Sequence, residues 1–338
     1  MTITNLRLAQ FRNFYDQSFD FSKGVNIIIG PNAVGKTSLL EAIYLMCTGS
    51  TFRAEENLVQ EGQKWARIDI NYSDNKTRTL KITGDNKLFE EEKQSAKRPK
   101  RPVILFEPNE LFLFYQNPNA RREYVDTRVA SAKRGYSNTV TQYKRALAHR
   151  NKLLKTRRGA TETMFVWDLK LAELGQQIAT ERKQYVSQLN KHINPIYQKI
   201  SNHKEEVSVE YVSSLSVDSS YTTNLLKKLQ DNLHKDFETG YTNFGPHRDD
   251  IAFKIFGKGV KTIASRGEIR TIMLAMKKIE ADQLENPVIL LDDVFSELDS
   301  LRRQRVVGLF GANQVFITTT EADLVIKKLS APHSTIVF

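Results

Sequence analysis

Short runs in which apolar and polar residues alternate fill the first hundred positions. Residues 3–8, 18–21, 25–29, 66–72 and 78–83 show short β patterns, with turn-forming residues between them. Residues 90–102, EEEKQSAKRPKRP, are polar and broken by proline, which predicts a loop or hairpin tip. The apolar run 103–106 predicts another buried strand. After Pro118 the period lengthens. Val140, Tyr143, Leu147 and Leu154 mark one helix. Trp167, Leu171, Leu174, Ile178, Tyr185, Leu189, Ile193 and Ile196 recur at three, four or seven positions along a longer one, and Gly159 separates the two. From residue 251 strands return. An alternating stretch around Gly257, Lys258 and Gly259 has the form of a hairpin, a helix is predicted over 267–284, and PVILLDD is a buried strand ending in two carboxylates. The pattern predicts an α/β protein with a discontinuous strand-rich head, residues 1–117 plus 239–338, and an inserted helical arm, residues 118–238.

The apolar run 26–29 meets a helical pattern over 37–48 through Gly30, Pro31, Asn32, Ala33, Val34, Gly35, Lys36, Thr37 and Ser38. That junction fits G-x-x-x-x-G-K-[ST] at every fixed position, in the strand-to-helix setting the motif requires. Glycine lets the backbone wrap an anion, and free N–H groups at the helix N-terminus point at its oxygens. Lys36 is predicted to reach the β and γ phosphates and the Thr37 hydroxyl to ligate Mg²⁺. The loop therefore implies a nucleoside triphosphate with Mg²⁺.

Such a loop needs an acid at the end of a neighbouring strand. Asp292 supplies it after the apolar residues 288–291, as a second Mg²⁺ ligand acting through water. Asp293 is placed to orient the attacking water or take its proton; a turn cap is the other reading of the same residue. Lys36 and Asp292 are 256 residues apart, far more than in compact GTPases. Strands, helices and more strands fill that interval, which predicts the ATP-binding-cassette (ABC) architecture. Ser265 and Gly267, at the start of the helix that leads to the Asp292 strand, form a second phosphate-binding end through free N–H groups and the helix dipole. In cassette ATPases a serine-glycine pair at this place contacts the γ-phosphate held by the other subunit. SELD, residues 296–299, and VFITTT, residues 315–320, fall where that class has its interface loop and its switch strand.

Composition changes this picture in one respect. The 338 residues carry a net charge of +11. Residues 118–158 hold nearly all of it: twelve Lys and Arg against Glu123 and Asp126, a net +10. Ordinary surfaces mix both signs, so a one-signed stripe predicts a polyanionic partner. Arg121, Arg122, Lys144, Arg145, Arg150, Lys152, Arg157 and Arg158 are the candidate residues for that contact. The single cysteine, Cys47, falls on the apolar face of the P-loop helix and reads as a packed thiol. No histidine or cysteine spacing suggests a structural metal, and no run reaches membrane-span length, so a cytoplasmic protein without a membrane partner is expected.

FRNF, ILFEPNELFLFYQNPNARREYVD, YKRALAHRNKLLK, TNFGPHRDDI, ASRGE and LLDDVFSELD occur in this order over almost the whole chain. Together they resemble the RecF family of bacterial DNA repair proteins. The resemblance implies an SMC-like ABC-type ATPase head with a short helical arm. It further implies an ATP-dependent homodimer on duplex or gapped DNA, partnership with RecR in a pathway with RecO, and help in loading RecA. It puts Arg12 and Asn13 near the nucleotide. Ala33 and Val34 depart from the small Gly-Ser-like pair common in this loop, and Glu268 replaces a frequent glutamine. An aspartate follows Asp292 where glutamate is usual, which predicts slow, switch-like hydrolysis. No clear counterpart of the cassette Q-loop glutamine is found; Glu107 and Asn109 are the candidates. Two rival classes remain open at this point: an ABC transporter's ATPase subunit and a DNA-defence ATPase.

Overall fold

The computed structural model describes residues 2–54, 56–84, 86–91, 101–156, 161–202, 204–320 and 333–338. Contacts divide the chain into two units: Met1–Leu111, Ile196–His203 and Ser265–Phe338 form the first, and Phe112–Pro195 with Lys204–Ala264 the second.

Two sheets build the first unit. One is antiparallel, in the order β2 (Phe14–Asp20), β1 (Ile3–Phe11), β4 (Ala66–Tyr72), β5 (Thr77–Thr83), β6 (Asn86–Glu91). The other is parallel, in the order β13 (His333–Val337), β3 (Val25–Ile29), β12 (Val315–Thr319), β11 (Val288–Leu291), β7 (Val103–Phe106). Strands β3, β11 and β12 are buried at every residue, as expected of parallel strands covered on both faces, and they are mostly apolar. Helix α1 (Lys36–Thr48) runs between the sheets. Its Leu39, Leu40, Ile43 and Met46 join one core with Leu6, Leu8 and Ile68 of the antiparallel sheet and Ile28, Leu290 and Phe316 of the parallel one. Cys47 lies in that core, and burial pushes its thiol up to about 11, so it is a packing residue.

The second unit holds a three-stranded antiparallel sheet, β10 (Lys258–Gly259), β9 (Asp250–Ile255), β8 (Val207–Val212). Its helices are α2 (Phe112–Tyr115), α3 (Pro118–Ala132), α4 (Tyr136–Thr156), α6 (Tyr221–Asp231), α7 (Leu233–Thr239) and α8 (Val260–Ile263). Helix α5 (Thr161–Ser201) belongs to it as far as Pro195, inside the helix, where the division between units falls. The sequence placed residues 239–264 with the head and began the arm at 118. In the structure 239–264 lie in the second unit, because β9 pairs along its full length with β8. The β9–β10 hairpin turns at Phe256 and Gly257, both with left-handed φ, one step earlier than the glycine pattern suggested. Among its described residues the first unit also holds α9 (Arg266–Asp282) and α10 (Ser300–Leu309). No helix among the described residues is long and apolar enough to cross a membrane.

Candidate functional site: a P-loop, its strand-end acid and a separate helix N-terminus

Parallel register brings the P-loop and its acid together. Leu291 pairs with Ile317 on one side and Phe106 on the other, and Ile29 pairs with Thr319, so four strand ends open on one edge of the sheet. Crevices at the carboxyl ends of such strands are where ligands bind in open α/β sheets. A cleft of about 770 Å³ opens there, lined among others by Asn32, Ala33, Gly35, Lys36, Thr37, Ser38, Asp292 and Asp293.

The loop is held by its own contacts. Gly35 has φ +115, and a Cβ there would lie 2.6 Å from the Asn13 side chain, so this position requires glycine. Asn13 donates to the Val34 carbonyl at 2.8 Å. Lys36 Nζ donates to the carbonyls of Gly30 and Pro31 at 2.8 and 2.7 Å. Burial lowers its ammonium pKa, and Asp292 and Asp293 act in the opposite direction. Ala33 stands at φ 65, a left-handed position where a small residue is tolerated and glycine would be less strained.

Thr37 Oγ1 donates to both Asp292 oxygens, at 3.1 and 2.9 Å. Thr318 Oγ1 donates to Asp292 Oδ1 at 2.6 Å and accepts from the Asp293 N–H at 2.9 Å. Hydroxyl and carboxylate oxygens beside a lysine and loop N–H groups suit a triphosphate with a hard cation that prefers oxygen ligands. These residues fit ATP and Mg²⁺. Glu107 follows the β7 residue whose carbonyl accepts the Asp292 N–H at 2.9 Å. Burial, then the charges of Glu110 and Asp292, push the half-buried Glu107 carboxyl up to about 7.

Arg12 lines the cleft, but its guanidinium is engaged in structure. It forks onto Glu41, whose side chain is fully buried on α1, at 2.9 and 2.7 Å. It also donates to the carbonyls of Ala54 and Glu56. Arg53, 3.9 Å from Glu41 and about half exposed, is the more accessible cation on this wall.

Ser265 and Gly267 are not among the residues lining the cleft. Ser265 is the N-cap of α9, accepting from Glu268 N at 3.3 Å, while Glu268 accepts from Ser265 N at 2.6 Å. This is a reciprocal capping box. A Cβ on Gly267 would sit 2.9 Å from the Glu297 carbonyl, so glycine lets the SELD loop lie directly on the helix start. Asp299 of that loop caps α10 by accepting from Arg302 N at 2.8 Å.

The basic stripe divides into two classes. Arg150 is fully buried, paired with Asp168 at 2.5 Å and Asp236 at 2.6 Å. Arg121 forks onto Asp250 at 2.7 and 2.9 Å, and Arg122 donates to the Asp249 carbonyl and to Asn119. Arg150, with no exposed surface, cannot meet a phosphate backbone and instead holds the second unit together, whereas Arg121 and Arg122, also expected to hold DNA, are partly buried and engaged within that unit. Lys144, Arg145 and Lys152 are exposed and spaced on one face of α4. Arg157 and Arg158 lie outside the described residues. The GPHRDD run belongs to the same internal network. His247 hydrogen-bonds Tyr143 at 2.7 Å and meets the Thr242 carbonyl at 3.1 Å, and burial pulls its pKa down to about 4. Asp249 accepts from Tyr211, and Arg248 donates to Thr242.

A family model described as an AAA domain matches residues 5–286. The DNA replication and repair protein RecF of Enterococcus faecalis is 34% identical, across 98% of this chain and 95% of its own length. That of Alkaliphilus oremlandii is 32% identical, across 95% and 93%. The chain belongs to the RecF family. A solved structure described as the recombination mediator protein RecF-ATPrS in the RecFOR pathway superposes with a TM-score of 0.73 at 29% identity, covering 96% of this chain and 93% of that one. An Smc head bound to the C-winged helix domain of ScpA gives 0.57 at 14% identity, covering 96% and 91%, which shows a shared fold. The fold is the ABC-type, SMC-like ATPase head with an inserted helical arm.

Within this RecF-family chain, sequence reasoning located the loop, its acid and the switch strand 315–320, but gave no role to four residues that the structure engages there. Glu41 and Arg53 belong to the Arg12 wall, Thr318 shares Asp292 with Thr37, and Arg270 bonds the Asp293 carbonyl. Glu41 carried a usable signal, since Leu39, Leu40, Ala42 and Ile43 flank it in a helix, where an acid needs a buried cation.

Proposed function

We propose that this chain is an ATP-driven DNA clamp of recombinational gap repair. The observation that carries it is the joining of Thr37 to Asp292 across the sheet, in a chain of the RecF family. In this reading the P-loop residues 30–38 bind the triphosphate, with Lys36 on its β and γ phosphates. Thr37 and Asp292 hold Mg²⁺, which supplies charge neutralisation at the phosphates. Asp293 takes the proton from water as its oxygen bonds to the γ-phosphorus and the bond to the bridging oxygen breaks. Asn13 and the Arg12 wall border the nucleotide, and Ser265 and Gly267 cap the γ-phosphate bound by a second copy of the chain. Two copies thus close with ATP and part after hydrolysis, a switch rather than a motor. Hydrolysis is weak and stimulated by DNA.

Lys144, Arg145 and Lys152 hold the backbone phosphates of duplex DNA, near the junctions of gaps, without reading bases. A solved relative is described in the RecFOR pathway, which supports RecR and RecO as partners; in this reading RecR is the direct one, and the complex helps to load RecA in the cytoplasm. The arm contacts are tested by the salt dependence of duplex binding. Replacing Lys144, Arg145 and Lys152 by glutamine reduces the slope of log affinity against log salt by about 2.7, at ~0.9 per phosphate contact. An unchanged slope removes DNA from this face.

A further inference from the structure

Asp293, the residue proposed to take the proton, sits in a backbone conformation side chains rarely adopt, φ 45. Such a conformation is held in place by the contacts around it. Two bonds do so here. The Asp293 N–H donates to Thr318 Oγ1 at 2.9 Å, and the Asp293 carbonyl accepts from Arg270 Nη1 at 2.6 Å. Arg270 is 3% exposed and lies one turn into α9, directly after Ser265 and Gly267. Its Nη2 stands 3.7 Å from Glu297 Oε2, and the other oxygen of Glu297 holds Arg266 at 3.0 Å. Its guanidinium lies 5.7 Å from the centre of the Phe106 ring, and its buried Nε has no hydrogen-bond partner among the described residues.

A buried guanidinium with an unmet donor is a costly way to fill space, because well-packed apolar residues of similar volume are often as stable or more so. Burial accordingly lowers its pKa, against Glu297 and Asp293, which act to raise it. The cost is explained if the group does something an apolar side chain cannot. We infer that Arg270 is a positioning residue for hydrolysis. It fixes the left-handed backbone of Asp293, and so the direction of its carboxylate. It also ties that residue to Glu297 and to the helix end that carries Ser265 and Gly267. The inference rests on the reading of Asp293 as the hydrolytic acid-base group.

The test compares Arg270→Lys, Arg270→Met, Asp293→Asn and the double variant Arg270→Met/Asp293→Asn by ATP affinity, kcat and KM, with melting temperature as a check of folding. Arg270→Met is expected to lower kcat by about tenfold or more while leaving the ATP Kd within about twofold, and Arg270→Lys to restore part of the rate. The double variant is expected to turn over no more slowly than Asp293→Asn alone, since Arg270 acts through Asp293. If Arg270→Met fails to fold, Arg270→Lys and Arg270→Lys/Asp293→Asn take its place, with a smaller expected loss and the same non-additivity. Full kcat in the Arg270 variants, or losses that multiply in the double variant, overturn the inference. Full turnover by Asp293→Asn alone overturns the Asp293 reading itself, and this inference falls with it.

Discussion

Ser265→Arg leaves ATP binding by the single chain intact and abolishes the ATP-driven dimer. Ser265 does not line the P-loop cleft, so its replacement does not touch the nucleotide bound by its own chain. Its local role is to cap α9, and loss of a cap costs about 1 kcal/mol. That helix buries Ile269, Ile272, Met273, Leu274, Met276 and Ile279, enough apolar surface to keep it folded without the cap. An arginine at this point instead puts a long charged side chain where the proposed partner must come within hydrogen-bond range. Light scattering with ATP and Mg²⁺, alongside nucleotide binding, reads both quantities. A dimer that survives the substitution, at wild-type ATP affinity, removes Ser265 from the interface.

Arg150→Met destabilises the second unit rather than weakening DNA contacts directly. The arginine and both its carboxylate partners are buried, and Thr242 Oγ1 accepts from the same guanidinium at 2.9 Å. Removing one member of a buried ionic cluster leaves the other charges uncompensated, at about 3–5 kcal/mol. For a unit of this size that corresponds to a fall in melting temperature of roughly 10 °C. Lys144→Gln, on the exposed face of the same helix, moves stability by no more than ~0.5 kcal/mol. Thermal unfolding of the two variants separates a structural cation from a surface one. An unchanged melting temperature with lost DNA affinity in Arg150→Met returns Arg150 to the DNA-binding set.

That contrast shows what the sequence could and could not convey. The P-loop was legible because its chemistry is fixed by local backbone geometry, with glycine at Gly35 and lysine and threonine at fixed offsets. Asp292 was legible because an apolar run marks a strand end. The fate of each arginine was not. A count of charges along residues 118–158 cannot see that Asp168 and Asp236, 18 and 86 positions beyond Arg150, come to it from other helices. Strand β8 was hidden for a similar reason. Its six residues lie in a helical neighbourhood, and their partner β9 comes some forty residues later. The GPHRDD run carried the family resemblance but no role that its residues could be read for, and in the structure His247, Arg248, Asp249 and Asp250 all find partners within their own unit. Arg12 matched the expected neighbourhood of the cleft, while its bond to buried Glu41 depends on a helix face that a linear motif does not display.

In the proposed cycle, ATP bound at Lys36 closes two copies of the chain on DNA. The most direct measurement is the mass of the full chain in solution with ATP and Mg²⁺, with and without a short duplex, for wild type and Lys36→Met. The expected result is a wild-type dimer that appears with ATP and retains the duplex, and a Lys36→Met protein that stays monomeric in both. A wild-type monomer in every condition, or a dimer that forms equally without ATP or in Lys36→Met, contradicts it.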